Sequence, residues 1–225
     1  MSMVNTNFRI KMAGQLLLLL ALFLTIAWPA SADTYTVTVA TGSITGTSGS
    51  LDFQFNPGPF STQLANLQIL DFTSDGTLAG APSPFLTGDV SGTLPGTVTF
   101  DNLGGLNDYF TDFTFGSTLS FEVSLFGPAV TSPDGISTSG SAFAFSMFSD
   151  AAGTIPVLTS DTVNGFAATV DVNLDGTTMV NNSSSATTVS PVVSAPEPSS
   201  ILQMELGLAG LLLMGAFRRR LFALT

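Results

Sequence analysis

The residues of this chain that could do chemistry are almost all carboxylates and hydroxyls. Between Met12 and Phe217 there is no Lys, Arg or His, and the whole chain has no Cys. A Ser-His-Asp triad, a Cys-His pair, a Lys nucleophile and a zinc site each need at least one of these residue types. The sequence therefore predicts no catalytic residues, no enzyme activity, no metal site and no cofactor.

Two carboxylate patterns offer alternatives to that prediction. Asp171-x-Asn173-x-Asp175-Gly176 matches the start of a calcium loop, but the twelfth position holds Asn182 instead of a bidentate Glu. The same residues fit a strand with its carboxylates facing solvent, which is the interpretation we favour. Asp108 and Asp112 have the residue types of a glycosidase pair, although their spacing alone does not support an active site.

The first 32 residues have the parts of a secretory signal peptide. Arg9 and Lys11 form a basic start, and an apolar run follows over residues 12–26. Ala30-Ser31-Ala32 then fits the small-x-small rule for cleavage. We predict that signal peptidase cuts between Ala32 and Asp33, so that the protein is exported.

A second sorting segment lies near the C-terminus. A linker rich in Ser, Thr and Val, residues 181–195, leads to Pro196-Glu197-Pro198. An apolar stretch follows at about residues 201–217, close to the shortest length that spans a bilayer core. The Arg218-Arg219-Arg220 run after it would hold that end in the cytoplasm.

This tail resembles the PEP-CTERM sorting signal of Gram-negative bacteria. The resemblance implies recognition by an exosortase, a membrane-embedded cysteine transpeptidase-like enzyme, and cleavage near Pro196-Glu197-Pro198. It also implies a transient stay in the inner membrane before transfer to the cell surface or the extracellular polymer. Two features depart from the pattern: Gln203 and Glu205 interrupt the apolar stretch, and the chain continues past the arginines.

The body, residues 33–180, is predicted to be all-β. Apolar and polar side chains alternate at period two, which is typical of half-buried antiparallel strands. The alternating runs are 34–39, 51–55, 97–101, 113–115, 119–125, 142–147 and 170–175. About nine or ten strands predict an antiparallel β-sandwich, jelly-roll or Ig-like, whose core is built from many of the 19 Phe. One short helix is predicted at Ser61–Leu70, with Ser61 as its cap.

The body is also similar to one group of uncharacterised PEP-CTERM proteins. The residues that carry this similarity are Gly49-Ser50-Leu51-Asp52-Phe53-Gln54-Phe55-Asn56-Pro57-Gly58, Phe72-Thr73-Ser74-Asp75-Gly76 and Gly88-Asp89-Val90-Ser91-Gly92. The similarity continues to Asn173-Leu174-Asp175-Gly176-Thr177. It implies a shared sandwich fold and no known activity.

Charge limits the partners of the body. The body holds 14 of the chain's 16 carboxylates, since only Glu197 and Glu205 lie outside it, and it holds no cation. Nucleic acid is excluded, because phosphates are bound by Lys and Arg. We expect a structural or adhesive protein of the cell surface, the extracellular matrix or a biofilm. The alternative is a glycan-binding module, with or without calcium, acting on extracellular polysaccharide, although Tyr35 and Tyr109 are its only tyrosines.

Overall fold

The computed structural model describes residues 33–192 together with Gly207 and Leu208. Asp33 begins the first strand. The other residues named for the two predicted sorting signals lie outside the described residues: Ala30, Ala32, Pro196, Glu197, Pro198, Arg218, Arg219 and Arg220. Among the residues described, no helix is long and apolar enough to cross a bilayer.

Within residues 33–192, thirteen strands form two antiparallel sheets, and the helical segments are short. The first sheet contains β1 (Asp33–Ala40), β3 (Asn66–Ser74), β6 (Val90–Gly92), β7 (Val98–Asp101), β9 (Thr118–Phe126) and β13 (Thr187–Pro191). The second sheet contains β2 (Ser48–Pro57), β4 (Thr77–Leu78), β5 (Phe85–Thr87), β8 (Asp108–Thr114), β10 (Ser139–Phe148), β11 (Phe166–Asn173) and β12 (Thr178–Asn182). A 3₁₀ turn covers Gly42–Ile44, and the one-turn helix α1 covers Pro128–Thr131.

The strand order shows a nested set of pairings. The first sheet runs β13-β1-β9-β3-β7-β6, and the second runs β12-β11-β10-β2-β8-β4, with β5 also paired to β8. Thus β1 pairs with β9, β2 with β8 and β3 with β7, so the chain crosses repeatedly between the sheets. Most ladders therefore join segments that are distant in sequence.

Aromatic side chains join the two sheets in the core. The ring of Phe53, from the second sheet, lies 5.1 Å from the rings of both Phe121, in the first sheet, and Phe145. Phe121 and Phe145 are 5.0 Å apart, and Tyr109 meets Phe53 edge-on at 6.1 Å. Tilted and edge-to-face contacts of this kind stabilise a core beyond the area they bury. The prediction of an all-β body with a Phe-rich core is confirmed.

The predicted helix at Ser61–Leu70 is wrong. Residues 66–70 belong to β3, and 61–65 form an irregular loop. Leu67 and Ile69 are buried while Gln68 and Leu70 are less buried, which is the period of a strand. The Ser61 hydroxyl donates to the Gly140 carbonyl at 2.6 Å instead of capping a helix.

The sandwich also extends past residue 180, into the segment that the sequence predicted as a linker. β13 pairs with β1 from Val39 opposite Thr187 to Tyr35 opposite Pro191. Thr187 is buried, and Val189 packs against the core. β13 covers an edge of β1 whose backbone groups would otherwise be open to pairing with other chains. The folded body therefore extends at least to Pro191, past the boundary predicted at residue 180.

We expect Phe53→Ala to lower the free energy of unfolding by about 3–5 kcal/mol, because it leaves a cavity between the two sheets. Urea denaturation followed by circular dichroism measures this loss. Phe85→Ala, at an exposed position of β5, is the matched control and should change stability by less than about 0.5 kcal/mol. Similar losses for the two variants would contradict the position of Phe53 in the core.

Candidate functional site

Two carboxyl groups meet on the outer face of the second sheet. β2 and β8 pair so that Gln54 lies opposite Asp108 and Asp52 lies opposite Phe110. Asp52 and Asp108 are therefore diagonal neighbours on the outer face of the sheet. Phe53, which follows Asp52 along β2, points to the other face and is buried in the core. We call these two groups the carboxyl pair.

The carboxyl pair is covered although it lies on an outer face, and Asp52 is only 7% exposed. The segment that follows β10 packs over this side of the sheet. The Ser50 hydroxyl donates to the Asp150 carbonyl at 2.9 Å. A Cβ atom on Gly153 would lie 2.8 Å from the ring of Phe110, so this position accepts only glycine without a shift.

Hydrogen bonds satisfy one side of the carboxyl pair and leave the other side open. The Gln54 amide donates to Asp52 Oδ2 at 2.8 Å, and the Asn56 amide donates to Gln54 Oε1 at 3.2 Å. Asp52 Oδ1 and Asp108 Oδ1 are buried and accept from no N–H or O–H donor. Because buried polar atoms almost always have a partner, a proton held between the two carboxyls accounts for both atoms.

The pKa values of the carboxyl pair agree with a shared proton. Burial, together with the hydrogen bond and the charge of Asp108, raises the pKa of Asp52 to about 8. The hydrogen bond from Gln54 opposes this rise. Burial also raises the pKa of Asp108, while the hydrogen bond from Asp52 opposes that rise. The pair therefore retains one proton near neutral pH, with Asp52 as the acid.

The structure does not bring Asp108 to the predicted partner Asp112. Both lie on β8, four residues apart, which at a strand rise of about 3.3 Å per residue is roughly 13 Å. Glycosidase pairs stand at most about 9.5 Å apart. Asp108 instead meets Asp52, which the sequence analysis did not single out as a candidate for chemistry. The alternation of the polar residues Asp52, Gln54 and Asn56 places Asp52 on the outer face of a strand. Only the register between β2 and β8 shows that its partner is Asp108.

The calcium-like pattern lies in a strand and a turn. Asp171 and Asn173 belong to β11, where buried and less buried residues alternate, so the strand interpretation is confirmed. Asp175 lies in the following turn and accepts from the Thr177 backbone at 3.1 Å and from its hydroxyl at 2.6 Å. Within residues 33–192, no three His, Cys, Asp or Glu side chains come together as a metal site.

Several exposed carboxylates accept hydrogen bonds from turns. Asp75 accepts from the Ser117 backbone at 3.0 Å and from the Thr118 backbone at 2.9 Å. These bonds, together with one from the Ser117 hydroxyl, lower the pKa of Asp75 to about 2. Asp150, Asp161 and Asp175 follow the same rule, and hydrogen bonds from Thr154, Asn164 and Thr177 lower their pKa values.

One surface cavity is separate from the carboxyl pair. It has a volume of about 590 Å³ and lies between the 158–160 loop and residues 182–185. Hydroxyl and amide groups line most of it, including those of Thr159, Ser160 and Asn182. The Asn182 side chain is already engaged, since it donates to the Thr187 carbonyl at 2.7 Å and accepts from the Ser184 backbone at 2.9 Å.

No family model, no curated protein and no solved structure matches this chain. A functional proposal therefore rests on the signals in its sequence and on its own geometry.

The carboxyl pair should make the body less stable as the pH rises. The folded-state pKa of Asp52 lies above its unfolded value of 3.8, so the unfolded chain loses this proton first. The stability contribution is complete below about pH 4 and falls until about pH 8. We expect Asp52→Asn to remove this decline and to raise the free energy of unfolding at pH 8 by about 1 kcal/mol or more.

Urea denaturation at pH 4 and pH 8 tests this expectation. Asp112→Asn, on the same face of β8, is the matched control and should keep the decline seen in the unmodified protein. A decline that persists unchanged in Asp52→Asn would contradict the assignment of the shared proton.

Asp75 should act in the opposite direction. Its folded-state pKa is below its unfolded value, so its contribution is present above about pH 4 and is lost as the pH falls towards 2. We expect Asp75→Asn to lower the melting temperature at pH 7 and to have little effect near pH 2. Asp134→Asn, in an exposed turn, serves as control. An equal loss for Asp75→Asn at both pH values would show that charge does not cause it.

Proposed function

We propose that this chain is an exported structural or adhesive protein of the cell surface or extracellular matrix, processed by an exosortase. One observation carries the proposal: all five cations flank apolar segments near the two ends of the sequence, and the body between them has none. This is the charge pattern of two membrane-directed signals around an exported domain.

The proposed path has two cleavages. Signal peptidase removes residues 1–32, and residues 201–217 then form a transmembrane helix with the arginines inside. The exosortase cuts near Pro196-Glu197-Pro198 and releases or transfers the body. The position of β13 supports the second cut, because this strand ends at Pro191, before the motif at 196–198. A cut there leaves every strand of the sandwich intact.

We further propose that the sandwich is a jelly roll and not Ig-like. Support comes from the nested pairings of β1 with β9, β2 with β8 and β3 with β7, and from a chain that alternates between the two sheets. Nested pairs of this kind arise when one long hairpin folds over to form both sheets. β10 to β13 widen the two sheets.

The body itself supports a structural role. Two groups of its carboxylates are engaged within the fold, and neither arrangement presents a reactive group to a substrate. Asp75, Asp150, Asp161 and Asp175 accept hydrogen bonds in turns, and Asp52 and Asp108 share a proton under a cover. Mutual repulsion among its carboxylates favours solubility, and this repulsion weakens as salt screens it. Adhesion through such a surface would run through divalent cations that bridge its carboxylates to an acidic polymer.

A glycan-binding module is the second candidate. The observation that favours it is the hydroxyl- and amide-lined cavity beside Thr159 and Asn182, since such groups exchange hydrogen bonds with sugar hydroxyls. The residues that line this cavity include no aromatic side chain on which a sugar ring could stack.

The intact mass of the protein in each fraction of the producing bacterium tests the proposed path. We expect a species that begins at Asp33, ends near Pro196–Pro198 and lies outside the cell. Glu197→Ala should leave the tail attached and the protein in the inner membrane, whereas Ser200→Ala is processed normally. An uncut Arg218–Arg220 tail confined to the inner membrane in the unmodified protein would refute the sorting proposal.

A further inference from the structure

Three loops at one end of the sandwich expose large apolar side chains. Phe60 in the β2–β3 loop is 63% exposed, Leu103 in the β7–β8 loop is 73% exposed, and Ile136 in the β9–β10 connection is 75% exposed. Leu64 and Leu106 in the same loops are also exposed. We call these five residues the apolar tip. A single exposed apolar residue needs no explanation. Five of them on neighbouring loops are the kind of surface that marks an interaction site.

The loops of the apolar tip are tied into one surface. The Asn102 side chain accepts from the Ala65 backbone at 3.0 Å, which joins the β7–β8 loop to the β2–β3 loop. The Gln63 amide donates to the Ser132 carbonyl at 2.8 Å, which joins the β2–β3 loop to the β9–β10 connection. The tip is thus held by fixed contacts between neighbouring loops.

The chain enters and leaves the body at this same end. Asp33, the first residue of β1, lies opposite Leu125 near the end of β9, and Pro191, the last residue of β13, lies opposite Tyr35. β9 leads directly into the connection that carries Ile136. The Thr178 hydroxyl donates to Asp33 Oδ2 at 3.2 Å and brings the second sheet to the same end.

The short link after Pro191 limits how far this end can be from a membrane. Residues 192–200 separate Pro191 from the apolar stretch that begins at residue 201. Nine extended residues span at most about 30 Å. If the stretch is inserted, as the proposed function requires, the end bearing the apolar tip stays within that distance of the lipid.

We propose that the apolar tip rests on the lipid surface of the membrane that holds the tail, and that it seats the body there before cleavage. This inference rests on the proposed function. Apolar burial at the interface supplies the attraction, since no Lys or Arg lies between Met12 and Phe217 to bind anionic headgroups. The contact therefore favours zwitterionic lipid.

Site-specific fluorescence tests this inference, and the absence of Cys makes single labelling sites simple to introduce. Leu103→Cys and Ile136→Cys place an environment-sensitive fluorophore on the apolar tip of the full chain. Val163→Cys is the matched control, because Val163 is 88% exposed in the loop before β11, at the opposite end of the sandwich. Each variant is reconstituted in phosphatidylcholine vesicles with and without brominated acyl chains.

We expect the tip variants to float with the vesicles and to lose several times more fluorescence to brominated lipid than Val163→Cys. Flotation with equal, low quenching at both ends would overturn the lipid contact while leaving the anchor in place. A concentration-dependent blue shift at the tip without quenching would also overturn it, in favour of a second copy of the chain. Failure to float would contradict both this inference and the anchor of the proposed function.

Discussion

The absence of cations from the body governs how its carboxylates are accommodated. Within residues 33–192 no side chain carries an ammonium or guanidinium group that could neutralise them, so nearly all must be met by N–H and O–H donors, by water or by a proton. Turns such as the one at Asp75 supply donors and favour the charged form. The covered site at Asp52 supplies few and favours the neutral form. One composition thus produces two opposite responses to pH in a single domain.

The stability of the body must then come from its apolar core and from the hydrogen bonds between its strands. No disulfide can form in a chain without Cys, and no ion pair between side chains can form inside the body, so apolar burial opposes the mutual repulsion of the carboxylates. The contact of Phe53 with Phe121 is central to this balance, because it joins the two sheets. Nested pairing adds to it by fixing strands that are distant in sequence, so that loss of one strand disturbs several ladders.

The predictability of this fold from sequence depends on the range of each interaction. The alternation at 119–125 predicts β9 well, because inward and outward positions are defined locally. The alternation at 66–70 carries the same signal, but Ser61 resembles a helix cap, and its true partner, Gly140, is distant. Composition alone made residues 187–191 look like a linker, although they pair with β1. The Asp52–Asp108 contact depends on the register between two strands, which a single sequence does not specify.

The pairing of β1 with β13 brings the two ends of the body, and with them the two proposed sorting signals, together in the fold. β1 begins where signal cleavage is proposed, and β13 ends just before the proposed sorting motif, so the strands at the two ends of the body are neighbours. β1 lies between β13 and β9 and stays incomplete on one side until residues 187–191 are available. On the proposed path, almost the whole body is therefore exported before the first sheet is complete. The sandwich can then close when the tail reaches the membrane, and the proposed cut after Pro191 would act on a folded domain.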